Sequence, residues 1–98
     1  MPEIDSSELK RAIESQHGGI ATFAQSVPVS ESFDGKPVWE GVVHVFDLAS
    51  NPKANRAYAW SYELEGGKRR FFAVLHTDRI NSPGAAVRAA IVAEQRKQ

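Results

Sequence analysis

Apolar and polar residues alternate at period two through the middle of this chain and recur at helical spacing near its two ends. The clearest alternation lies in residues 57–76, AYAWSYELEGGKRRFFAVLH. Tyr58, Trp60, Tyr62 and Leu64 share one side of a strand, and Gly66-Gly67 supplies the positive φ values that a tight hairpin turn needs. A two-residue turn at these glycines sets Leu64 against Arg69, Tyr62 against Phe71, Trp60 against Ala73 and Tyr58 against Leu75. On the reverse side it sets Glu63 against Arg70, Ser61 against Phe72, Ala59 against Val74 and Ala57 against His76, so that opposite charges meet across the strands.

Upstream, Asp5 and Glu8 have the spacing of a capping box, and Ile4 and Leu9 that of a hydrophobic staple, so a helix is predicted from Ser6. Leu9, Ala12, Ile13 and Gln16 form its narrow inner face, and His17-Gly18-Gly19 ends it. Val27, Val29 and Phe33 alternate with polar residues and predict a strand from about Thr22. Pro28 cannot donate a ladder hydrogen bond, which places this strand at a sheet edge or beside a bulge. Asp34-Gly35 folds it back onto a second strand over 38–48, VWEGVVHVFDL. A polar connector, ASNPKANR, leads into the hairpin at 57–76. Ser82-Pro83 then reads as a cap followed by proline at the first helical position, opening an alanine-rich helix to about Arg96 with Val87 and Ile91 as its larger anchors.

The fold class is therefore α+β: a four-stranded antiparallel meander, two consecutive β-hairpins, flanked by an N-terminal and a C-terminal helix in the order α-β-β-β-β-α. The 98 residues suit a single domain. Both helices are expected on the Trp60/Tyr62 face. In either relative register of the hairpins the other face keeps apolar residues, Phe72 and Val74 among them, and two short helices are expected to leave it open.

Composition narrows function without naming it. Twelve basic residues balance twelve acidic ones, so the long-range field that gathers nucleic acid or anionic membrane is missing. The absence of cysteine excludes disulfides, thiolate metal sites and thiol nucleophiles. The acidic start of the chain lacks an apolar core, no run approaches the length of a membrane helix, and a cytoplasmic location is expected.

Two stretches echo known nucleic-acid-binding families. ELKRAIESQHGGIATFAQSVPVSES, with Ala24 and the Val29-Ser30 pair, resembles the opening of a phage-repressor type helix-turn-helix. It departs from that pattern at Pro28, where the family has its turn glycine, and at Asp34-Gly35-Lys36-Pro37, which interrupts the segment of the recognition helix. The strand meander followed by SPGAAVRAAIVAEQ resembles the element order of a double-stranded-RNA-binding domain. That family grips phosphates with a lysine cluster where this chain has Ser82, Pro83, Gly84 and Ala85. Lys53 and Arg56 fall at the opposite end of the hairpin from Lys68, Arg69 and Arg70, so tight nucleic-acid binding is not expected.

Of the three histidines, His17 precedes a helix-ending glycine, His76 ends a strand, and His44 lies inside an apolar strand with Glu40 on the same side four residues back. His44 with Glu40 is the candidate base and orienter, yet no nucleophile turn, phosphate loop or zinc-binding pair accompanies them. No cofactor or metal is expected. The leading expectation is a binding or adaptor module that self-associates as a homodimer or higher homo-oligomer through the uncovered sheet face. Glu63, Arg70, Phe72, Val74, His44 and Glu40 are its candidate binding residues, with a protein or small molecule as the further partner. A nucleic-acid-associated protein and a small acid–base enzyme using His44/Glu40 are the alternatives.

Overall fold

The computed structural model describes residues 6–96. Helix α1 (Ser6–His17) precedes strands β1 (Ile20–Phe33), β2 (Lys36–Ala49), β3 (Arg56–Glu63) and β4 (Arg69–Leu75), and helix α2 (Pro83–Arg96) closes the chain. The strands form one antiparallel sheet in the order β1-β2-β3-β4, so the α-β-β-β-β-α architecture is the observed one. No described helix is long and apolar enough to cross a membrane.

Local chemistry explains the boundaries. The capping residues Ile4 and Asp5 lie outside the described residues. Helix α1 stops where Gly18 and Gly19 turn to φ 85° and 89°, and the Asn51 side-chain amide donates to the carbonyls of His17 and Gly18, both at 3.1 Å. Asp34 and Gly35, both at positive φ, join Phe33 to Lys36 in a two-residue hairpin turn. Ser82 Oγ accepts the Ala85 amide at 3.1 Å and caps α2, with Pro83 at the first helical position. β1 occupies a sheet edge, one of the two placements Pro28 allowed, and its strand conformation throughout removes the helix-turn-helix resemblance.

The helices do not share a face. Leu9 and Ile13 of α1 pack with Phe46, Leu48, Ala57, Ala59 and Ala73 on one side of the sheet. Ala86 and Val87 of α2 pack with Val43, Val45, Tyr58 and Trp60 on the other. This corrects the expectation of two helices on one face and an open face behind. Beside Phe46 and Leu48, Leu9 and Ile13 meet the small sheet residues Ala57, Ala59 and Ala73, whereas Ala86 and Val87 meet the large Tyr58 and Trp60.

The β3–β4 register is also corrected. Trp60 faces Phe72, Tyr58 faces Val74 and Glu63 faces Arg69, one residue away from the pairing that a two-glycine turn dictates. Gly66 and Gly67 do adopt positive φ, 82° and 79°, but within a longer connection closed by the Leu64 amide donating to the Lys68 carbonyl at 2.7 Å. A one-residue slip reverses faces. Phe72 and Val74 consequently join Trp60 on the α2 side, and Phe71 and Ala73 take the α1 side.

Candidate functional site

β2 pairs with β1 along nearly its whole length, but with β3 only at His44, Val45, Phe46 and Asp47. Beyond His44 opposite Ala59 the two central strands part, and a cleft of about 620 Å³ opens between them beneath α2. Trp60, Tyr62 and Phe72 furnish its sheet wall and Val87, Ala90 and Ile91 its helix wall, and Trp39 of β2 lines it as well.

The aromatic side chains hold one another in place. Trp60 and Phe72 stack with centroids 5.3 Å apart and planes 5° from parallel, and Tyr62 stacks on Phe72 at 5.7 Å. The Trp39 ring meets Trp60 edge-on at 5.9 Å. Gly41 makes this possible, because a Cβ there would stand 3.1 Å from the Trp39 indole. The Arg70 guanidinium lies 4.7 Å from the Phe72 ring centroid, on the same ring's surroundings. Between the cleft residues Val87 and Ala90 of α2, Arg88 clamps Glu31 of β1 at 3.0 Å.

Backbone polarity completes the cleft. The Leu48 amide donates to the Asn55 carbonyl at 2.9 Å, so even-numbered residues of β2 turn their backbone groups toward β3. Val42 and Glu40 continue that row past the end of the ladder and line the cleft, with Ser61 of β3 across from them. Apolar side chains and strand-edge hydrogen-bonding groups therefore share one space.

The residues proposed from sequence distribute unevenly around it. Phe72 and Glu40 line the cleft, and Val74 packs against the same cluster without lining it. Glu63 sits at the far end of β3 and pairs with Arg69 at 3.6 Å, in place of the expected Arg70. His44 does not hydrogen-bond Glu40, since four residues along a strand separate them by about 13 Å. Its Nδ1 instead meets Ser26 Oγ at 2.8 Å, and its buried Nε2 has no hydrogen-bond partner. Burial holds the His44 imidazole below its usual range. Among the described residues no carboxylate orients this hydroxyl–imidazole pair, and no cluster of His, Asp and Glu is placed to hold a metal.

The remaining histidines serve the fold. His17 Nε2 lies 2.7 Å from the Ala73 carbonyl on β4, and His76 Nδ1 lies 2.7 Å from the Tyr58 hydroxyl, whose pKa burial pushes up. Trp39, Gly41, Trp60, Tyr62 and Ile91 are cleft residues that sequence reasoning assigned to the core or passed over. Trp39 beside Gly41 was the available signal, because a glycine inside a strand marks a close approach.

No family model matches this chain, and neither the curated proteins nor the solved structures contain a match to it.

Proposed function

We propose that this chain is a small binding module whose ligand seat is the cleft between β2 and β3. The observation that carries this reading is an aromatic-walled space of about 620 Å³, opened by the parting of two strands and bridged by α2. Its size and apolar lining with a few convergent polar groups are those of ligand pockets generally. Self-association through an open sheet face is the less supported form of the same reading, because each face already carries a helix. The acid–base alternative rests on His44 with Glu40, which stand about 13 Å apart along β2, His44 meeting Ser26 instead; the nucleic-acid alternative rests on basic residues at opposite ends of β3.

The test uses 8-anilinonaphthalene-1-sulfonate as an apolar probe, followed by its fluorescence and by the indole N–H signals of Trp39 and Trp60. Saturable one-to-one binding that shifts both indoles, and that Ala90→Trp abolishes by filling the cleft, is the expected result. Binding that is absent, or indifferent to Ala90→Trp in a folded variant, would remove the cleft as ligand seat.

A further inference from the structure

We propose that the occupant of the cleft is an extended peptide of alternating apolar and polar residues, added as a strand to the inner edge of β2 at Val42 and Glu40. This inference rests on the cleft being the ligand seat and names the chemistry of what sits there.

Three features of the structure favour a peptide backbone over a compact apolar molecule. The first is the row of strand-edge groups. Val42 and Glu40 point their N–H and C=O groups into the space where β3 has departed, at the spacing of about 7 Å that alternate strand residues share. A compact apolar ligand would strip water from these groups and return nothing, whereas an added strand supplies a donor and an acceptor to each residue it faces. Past the end of the β2–β3 ladder, Val42 and Glu40 stay paired on their other side with Pro28 and Ser30 of β1.

The second feature is that the cleft is walled on one side. Trp60, Tyr62, Phe72 and the α2 residues Val87 and Ile91 lie toward α2, and on the opposite side of the sheet Val42 is 44% exposed and Glu40 is exposed as well. Successive side chains of an added strand would therefore meet aromatic surface and water in turn, which is what alternation in the peptide provides.

The third is that the outer sheet edges are guarded and this inner one is not. β1 carries Pro28 and an extra residue between Phe23 and Gln25, both of which discourage edge pairing. On β4 the odd-numbered residues face outward, and the outward Ala73 carbonyl is taken by the His17 ring at 2.7 Å.

The experiment titrates the full chain with acetyl-Thr-Val-Thr-Leu-Thr-amide, with two versions of it N-methylated on alternate residues (Val and Leu, or the three Thr), and with 8-anilinonaphthalene-1-sulfonate. Backbone amide exchange at Val42 and Glu40 and sedimentation mass are the readouts. The parent peptide should slow exchange of both amides, and at least one N-methylated version should bind tenfold or more weakly. Equal binding by all three peptides would overturn strand addition, because side chains alone would then explain affinity. Binding of the fluorophore without the parent peptide would overturn this inference and leave the cleft as a small-molecule seat; binding of neither would remove the cleft itself. Protected Val42 and Glu40 amides in a doubled mass without peptide would overturn it in favour of a second copy of this chain.

Discussion

Trp60 and Phe72 stand opposite each other across the β3–β4 ladder and stack with their planes 5° from parallel. That pairing sets one wall of the cleft, and it exists because the connection between the strands spans Leu64 to Lys68. With Phe72 one position further along, its ring would fall on the α1 side, and the cleft would lose its central surface.

Cysteine pairs test this register directly, since the chain has none of its own. Glu63 and Arg69 form a non-hydrogen-bonded pair, the kind whose Cα separation of about 4.5 Å suits a disulfide. Glu63→Cys with Arg69→Cys should oxidise readily to an intramolecular disulfide, measured by thiol titration and mass. Glu63→Cys with Arg70→Cys should remain reduced under the same conditions, and the reverse preference would restore the two-glycine turn.

Gly18 and Gly19 separate backbone strain from crowding. Both sit at positive φ, so alanine at either position costs about 1–2 kcal/mol. At Gly18 a Cβ meets nothing within 4 Å, but at Gly19 it would stand 2.8 Å from the Ala49 carbonyl oxygen. Gly19→Ala should therefore lose about 1–3 kcal/mol more than Gly18→Ala in urea unfolding. Equal losses would mean that the helix-to-strand junction relaxes freely.

The two-sided core predicts near-independence of its halves. Leu9 and Val87 are fully buried on opposite faces of the sheet. Leu9→Ala should cost about 2–5 kcal/mol and Val87→Ala about 1–3 kcal/mol. Their double variant should equal the sum within about 0.5 kcal/mol in denaturant titration. A deviation larger than 1 kcal/mol would show that the sheet transmits strain between its faces.

His44 makes stability depend on acid. Burial lowers its pKa in the folded chain, so the unfolded chain takes up the proton more readily. The resulting stabilisation is fully present above the unfolded value of about 6.5 and is lost as pH falls through that value toward the lowered folded one. Melting temperature should thus drop more steeply below pH 6.5 in the wild type than in His44→Gln. Parallel curves from pH 8 to 5 would assign the acid sensitivity to other groups.

Several element boundaries were legible in the residues that form them. Asp34-Gly35 specified a turn, Pro28 an edge strand or a bulge, Gly18-Gly19 a helix stop and Ser82-Pro83 a helix start, because each acts through the backbone within a few residues. Capping and φ preference need no distant partner. Alternation likewise showed that β3 and β4 have two apolar-bearing faces.

Three matters lay beyond local chemistry, and only the tertiary structure decided them. The length of the β3–β4 connection set which face Phe72 joins, because Gly66 and Gly67 suit positive φ in a short turn or a longer one equally well. Helix assignment lay in the packing on each face: Leu9 and Ile13 with Phe46, Leu48, Ala57, Ala59 and Ala73, and Ala86 with Tyr58 and Trp60. The cleft arose from the early end of the β2–β3 ladder at His44 and Ala59, where neither strand's own sequence stops. Strand propensity says that residues are extended; which neighbour they pair with, and for how long, is settled by the packing of the whole chain.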